Sequence, residues 1–523
     1  MDTTPNPARW WALAALVMST LAVGLDATVL SVALPTLATD LHASTSQLQW
    51  FVDSYNLVLA AVLLPVGLLG DRFGHKRFLL GALVLFGVAS ALCAYSGSAE
   101  VLITGRVLLA LGAAALMTLP AAILPRLFGE AERSRALTAW MTAMFASFPL
   151  GPIVGGLLLD HFWWGSVFLI NVPVVVVAVT AVASLVPESR SPQPVRLDVG
   201  GLTLFAGALL ALTFGLIEGG ERGWSDGVVL AALVGFPLLL AGFALRQRVQ
   251  LRRLVAGQSP LIDLSIFRLP GFAWGTALGV ISTFAMFGML FATPQYFQNV
   301  LGHDALGTGV RLLPMIGGLL VGGRLGRTLA ERFGAKIVAA KGFSLMAVAM
   351  VIAATTDLDD GYGLAATWLA VFGLGLGFGL PTAMDAALGG IPKDRSGLGS
   401  GLLMSLRNVG GAIGVAVLGA VLNAGYRGAV DGDLARLGLD GPARAAVQDG
   451  PATGLAVARA TGSPELVDAV RSAFVHGSDA MYLVCAAVAL LGAVIAVALL
   501  PARTTTPEAT PAETESAHDV VPA

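Results

Sequence analysis

Charge is what this chain most lacks. Asp, Glu, Lys and Arg make up 12% of its 523 residues, about half the share of an ordinary soluble domain. Hydrophobic residues make up 56% and the mean hydropathy is +0.79, which excludes a soluble globular fold and predicts a protein that crosses a membrane many times. The net charge of −2 leaves no basic face for nucleic acid. Cysteine is scarcer still: Cys93 and Cys485 lie far apart inside apolar runs, so neither a disulfide framework nor a thiolate metal site can be built, and both read as packing residues. No phosphate-cradling loop, metal cluster or nucleophile constellation is present. The Gly-rich "GLGLGFG" (Gly373 to Gly379) sits inside an apolar run, where small residues serve close helix packing. Enzyme chemistry, cofactors and ATP are therefore not expected. The remaining energy source is the proton-motive force, worth about 2.3 kcal/mol per charge per 100 mV.

What the chain has instead is apolar runs. A helix of about 20 residues crosses a bilayer, and on that measure the sequence predicts about fourteen transmembrane helices. The N-terminal "MDTTPNPARWW" leads into a run too long for a signal peptide and without a cleavage site, so it reads as the first span. "DRFGHKR", "PRLFGEAERSR", "PESRSPQPVR", "RQRVQLRRLVAGQ", "ERFGAK" and "PKDRS" hold most of the basic residues, while the intervening short loops carry little beyond Arg222. The positive-inside rule places the basic loops, and with an even span count both termini, in the cytoplasm. The excess of Arg over Lys and the abundance of Ala and Gly suggest a GC-rich bacterium, hence a bacterial cell membrane. Residues 424–478 fall outside as an extracellular loop, in which "SPELVDAVRSAFVHG" predicts a capped amphipathic helix lying over the outer face. Residues 501–523 read as a disordered cytoplasmic tail.

An internal repeat sets the architecture. "GDRFGHK" (Gly70 to Lys76) recurs as "AERFGAK" (Ala330 to Lys336), and "ERSRALTAW" (Glu132 to Trp140) is echoed by "DRSGLGSGL" (Asp394 to Leu402) at nearly the same offset. Two copies of one unit account for both matches. The expectation is an all-α fold with a six-helix bundle at 10–186, an inserted helix pair at 200–245 and a second six-helix bundle at 272–500. Transporters built from repeated halves bind cargo near the midplane between them.

Against this apolar background the buried charges stand out. An ionised group in a span costs from a few to ~10 kcal/mol or more unless it faces protein or water. Asp26 in "LDATVL" and Arg106 in "RVLLALGAA" lie in the first and fourth spans, and Arg106 could tune the protonation of a nearby Asp. Asp53 enters near the start of the second span, Asp385 near the end of the twelfth, and Arg407 and Asn408 lie in the thirteenth. The aromatic and Met residues Trp50, Tyr55, Met117, Met144, Phe145, Phe148, Phe284, Phe287 and Tyr296 are candidates for a pliable cavity. So few polar groups suit a lipophilic cargo rather than a sugar.

The motifs together resemble one family, the fourteen-span drug:proton antiporters of the major facilitator superfamily. "GLLGDRFGHKRFLL" (Gly67 to Leu80) resembles its loop between spans two and three, "RVLLALGAA" its fourth-span arginine motif, "PLGPIVGG" (Pro149 to Gly156) its antiporter motif and "LDATVLSVALP" its first-span motif. "VFLINVPV" (Val167 to Val174) and "LQWFVDSYNLVLA" (Leu48 to Ala60) also fit, the latter resembling quaternary-ammonium exporters. The resemblance implies a proton-coupled role for Asp26, Arg106 and Asp53. It implies a gate built from Gly67, Asp71, Arg72, Gly74 and Lys76, with Glu331 and Arg332 as the weaker counterpart. Pro149, Gly151, Pro152, Gly155 and Gly156 would form a seam that seals against leak. Leu109 and Ala110 replace a common Gln and Gly, Ser147 replaces a common Gly, and the acidic cavity residues of the quaternary-ammonium exporters are missing. The expected function is antiport of protons against a lipophilic or cationic small molecule by a monomer in the lipid bilayer; the alternatives are an uptake symporter and a non-transporting membrane sensor.

Overall fold

Away from water a backbone must satisfy its own hydrogen bonds, and long apolar runs do so as helices. The computed structural model describes residues 8–128, 130–189, 198–253, 264–358, 360–389, 391 and 396–501, and among them no strand occurs. The N-terminal half comprises α1 (Ala8–Asp40), α2 (Thr45–Phe73), α3 (His75–Ala94), α4 (Ala99–Leu127), α5 (Glu130–His161), the short α6 (Ser166–Leu169) and α7 (Asn171–Leu185). A helical hairpin is inserted next, α8 (Val199–Arg222) and α9 (Gly227–Arg253). The C-terminal half begins with α10 (Pro270–Gln295), α11 (Ala305–Arg311), α12 (Leu313–Phe333), α13 (Ala335–Ala353) and α14 (Tyr362–Gly389). It ends with α15 (Ser396–Arg436), α16 (Gly441–Asp449), α17 (Pro451–Thr461) and α18 (Pro464–Leu499). Among the described residues, twelve helical stretches are long and apolar enough to cross a membrane, and α2 and α5, at 29 and 32 residues, are of comparable length.

The repeated heptapeptide folds as a repeated turn. Gly74 joins α2 to α3 at φ 98°, and Gly334 joins α12 to α13 at φ 88°. In each case the glycine N–H closes the preceding helix, on Gly70 O and Ala330 O respectively, both at 2.9 Å. A side chain rarely tolerates that φ, so the glycine at the fifth position of each copy is what lets two spans meet with no intervening loop.

The two halves meet toward the end of the molecule where α1 terminates at Asp40. Gln298 Nε2 donates to Val32 O at 2.8 Å and Thr45 Oγ1 to Asp449 O at 2.8 Å. Along the middle, α2 runs against α15, with Gln49 Nε2 donating to Val415 O at 3.4 Å and Ser405 Oγ donating to Ala60 O. The inserted hairpin straddles this seam. Glu218 of α8 accepts from Ser46 Oγ at 3.1 Å and Trp50 Nε1 at 3.4 Å on α2. Nearer the other end Phe205 and Phe243 pack with Phe272, Leu402 and Leu403 of the C-terminal half.

The stretch 424–478, expected as a loop with one helix across it, is different. α15 continues to Arg436, α16 and α17 follow, and "SPELVDAVRSAFVHG" is capped by Ser463 but runs unbroken into the last span as the first turns of α18. No helix breaker follows Pro464 at the first turn, and Gly477 packs close to Leu422 O and Tyr426 N of α15, so the segment stands upright against its neighbour.

Candidate functional site

Asp26 and Arg106 face each other across α1 and α4. Asp26 Oδ2 lies 2.6 Å from Arg106 Nη1, and each residue is 1% exposed. Asn171, the first residue of α7, donates from Nδ2 to Asp26 Oδ1 at 3.2 Å and to Ser90 Oγ of α3 at 3.2 Å. Arg106 Nε donates to Phe51 O of α2 at 3.0 Å, and its guanidinium stacks 4.2 Å from the Tyr55 ring centroid. One ion pair therefore ties together α1, α2, α3, α4 and α7. Both carboxylate oxygens of Asp26 accept a hydrogen bond, and a proton bound there would remove the charge that Arg106 pairs with. A buried charge that loses its partner is costly, of the order of 3–5 kcal/mol, so each member of the pair depends on the other.

Tyr55 also lines a cavity between the halves. α1 contributes Thr20, Val23, Gly24 and Ala27 to its wall, α2 contributes Tyr55, Asn56 and Leu59, and α4 contributes Met117. The C-terminal half contributes Thr283, Met286 and Phe287 from α10 and Met404, Arg407 and Asn408 from α15. Its volume open to water is about 50 Å³, room for a few waters, so larger cargo needs the halves to part. No Asp or Glu lines it among the described residues.

The remaining expected site residues divide. Tyr55, Phe287, Arg407 and Asn408 line the cavity. Trp50 does not: its indole reaches Glu218 and its ring lies 6.3 Å from Phe214, so it belongs to the contact with the inserted hairpin. Phe284 is buried where the α10 backbone passes Gly414 of α15, outside the cavity wall. Asp385 is exposed and also outside it. Asp53 is fully buried, with neither carboxylate oxygen hydrogen-bonded among the described residues. It lies one turn after Gln49, on the stripe of α2 that faces α15 at the seam between halves. The side chains of Asp71, Met144, Phe148 and Pro149 lie outside the described residues.

The antiporter-like stretch on α5 is a double seam. A Cβ at Gly151 would strike Thr28 and Val29, and one at Gly155 would strike Val29 Cγ2 at 2.6 Å, so α5 sits directly on α1 beside Asp26. On the other side a Cβ at Gly156 would meet Ala305 O and Leu306 Cα at 2.7 Å, and Gly309 abuts Pro152 O. The same few glycines thus hold the Asp26 helix and the opposite half.

At the Gly74 turn, Gly67 has open space beside it, and Glu188 meets the start of α3. Arg72 is exposed, Lys76 N–H donates to Glu188 Oε1 at 3.2 Å and Arg77 lies 3.5 Å from Glu188 Oε2. In the second copy, the exposed Glu331 pairs with Arg327 at 3.8 Å, and Arg332 lies over the Phe333 ring.

Sequence reasoning missed Asn171 and Glu218. Asn171 is the only polar side chain of "VFLINVPV", and Glu218 is an acid at the end of an apolar run followed four residues later by Arg222, with which it pairs at 2.6 Å. Those are the signals that mark them.

Comparison with known proteins places this geometry. The Major Facilitator Superfamily pattern matches residues 16–415. The chain is 35% identical over 498 residues to the tetracenomycin C resistance and export protein of Streptomyces glaucescens, covering 93% of this chain and 91% of that protein. It is 33% identical to the multidrug efflux pump LfrA of Mycolicibacterium smegmatis, covering 94% and 97%, and 33% identical to a probable actinorhodin transporter of Streptomyces coelicolor, covering 80% and 73%. Among solved structures, a bacterial homologue of the human lysosomal transporter Spinster in an inward-facing, occupied conformation matches with TM-score 0.67 at 16% identity, covering 94% and 97%.

Proposed function

The chain belongs to the Major Facilitator Superfamily, and from that premise we propose that it is a proton-coupled exporter of lipophilic small molecules, drugs or secondary metabolites, working by alternating access. The observation that carries this reading is the shared Tyr55: its ring packs under Arg106 of the Asp26 pair and its side chain lines the cavity between the halves. Protonation of Asp26 removes the charge that holds Arg106, so α1 and α4 repack, and the cavity wall formed by Thr20, Val23, Gly24 and Ala27 of the same α1 moves with them. Cargo that favours one wall arrangement then shifts the protonation of Asp26 by the same free energy, which is the reciprocity any coupled carrier requires. Asp53, unpaired at the seam, is a second group able to change charge as the halves separate.

Relatives named for antibiotic export and multidrug efflux support outward transport. The α5 glycines, packed on α1 beside Asp26 and on α11, fit the seam that the resemblance to exporters implies, which favours export over uptake. In this reading the protein is a monomer in a bacterial plasma membrane with both termini cytoplasmic, and it needs no cofactor beyond the proton gradient. Inverted vesicles energised to pump protons inward test it. Adding cargo should release protons from wild-type vesicles and none from Asp26→Asn vesicles carrying the same amount of folded protein; an unchanged release by Asp26→Asn sinks the assignment.

A further inference from the structure

The cavity wall carries a charge that no carboxylate answers among the described residues. Arg407 is 8% exposed and lies in a span. Its Nη1 reaches only two thioether sulfurs, Met384 Sδ and Met404 Sδ, each at 3.5 Å, and its Nε has no hydrogen-bond partner among the described residues. A guanidinium offers five donors, and a thioether is a weak acceptor. No carboxylate pairs with Arg407 among the described residues, in contrast to Arg106. Two further wall groups, Tyr55 Oη and Asn56 Nδ2, are buried without hydrogen-bond partners among the described residues.

Each of these three buried groups can donate a hydrogen bond, one of them is a full positive charge, and no acid lines the wall among the described residues to hold a cation. Resting on the exporter reading above, we propose that this cavity selects lipophilic cargo that is anionic and rich in oxygen acceptors, such as aromatic phenolates, enolates or carboxylates, with the anionic oxygen on Arg407 and neighbouring carbonyl or hydroxyl oxygens on Tyr55 and Asn56. An anion there supplies the charge-assisted hydrogen bond that Arg407 lacks, while Met286, Met404 and Phe287 give the ring system an adaptable apolar bed. A cation would meet Arg407 across a cavity of low dielectric and be repelled.

Purified full-length protein in lipid nanodiscs tests this by equilibrium dialysis, with empty discs subtracted. The probes are 2-hydroxy-1,4-naphthoquinone, which is an anion at neutral pH, its neutral O-methyl ether, and the lipophilic cation tetraphenylphosphonium. The wild type should hold the anion about tenfold or more tighter than the ether, the worth of a hydrogen bond to a charged group, and hold the cation weakest. Arg407→Gln should lower anion affinity to that of the ether, and Arg407→Lys should retain part of the preference. Equal wild-type affinity for anion and ether, or an undiminished preference in Arg407→Gln, overturns the proposal. The wild-type comparison and Arg407→Lys decide it if the Gln variant does not fold. Proton release from vesicles separates the two claims: release driven by tetraphenylphosphonium but not by the anion upholds export and overturns this selectivity, whereas anion-selective binding with no proton release upholds the site and removes the export reading.

Discussion

The two halves share a backbone device and differ in what their buried arginines do. Gly74 and Gly334 turn the chain at φ 98° and 88° at matching places in the repeat. Yet Arg106 in the N-terminal half is gripped by Asp26, the Phe51 carbonyl and the Tyr55 ring, while Arg407 in the C-terminal half has two sulfurs. The repeat therefore conserves the hinge-like turn and divides the chemistry. The N-terminal half holds a buried charge pair, and the C-terminal half holds a buried charge with no carboxylate partner among the described residues.

That contrast is most sharply broken by replacing each arginine and measuring thermal unfolding in one detergent. Arg106→Ala strands Asp26 and should cost about 3–5 kcal/mol, whereas Arg407→Met removes a charge without orphaning another and should be close to neutral or stabilising. Equal losses would mean that Arg407 has a structural partner after all. Next in size, Gly156→Val forces side-chain atoms against the α11 backbone and should cost about 1–3 kcal/mol, with transport reduced beyond the loss of folded protein because the seam joins the halves. Gly74→Ala and Gly334→Ala should each cost about 1–3 kcal/mol for a residue held at positive φ; a large difference between them would show that the two turns are not equivalent. Smallest, Glu218→Gln weakens the hold of the inserted hairpin on Ser46 and Trp50 and should cost about 0.5–1.5 kcal/mol in the same melts, with transport largely retained.

Much of this arrangement is legible in the sequence. The helices follow from apolar length, the halves from "GDRFGHK" and "AERFGAK", and Asp26 and Arg106 stand out because an ionised group in an apolar run needs a partner. What stays hidden is which face of a helix a residue takes. Trp50 and Tyr55 lie five residues apart on α2 and so point about 140° apart; one meets the inserted hairpin and the other the cavity, and no periodicity tells which. Neutral polar groups are hidden for another reason: Asn171 stands out as the one polar side chain of "VFLINVPV", but being uncharged it does not say that its partner is the second oxygen of Asp26. The segment 464–478 misleads because its charged face reads as surface, while its backbone runs without a break into the last span.

The central claim is that the protonation of Asp26 and the occupancy of the cavity are one equilibrium. Adding 2-hydroxy-1,4-naphthoquinone to purified protein in weakly buffered solution, with a pH dye as readout, measures it directly. The account predicts proton release that saturates with binding in the wild type and vanishes in Asp26→Asn, although that variant still binds the compound. Binding without proton release in the wild type, or the same release from Asp26→Asn, would contradict it.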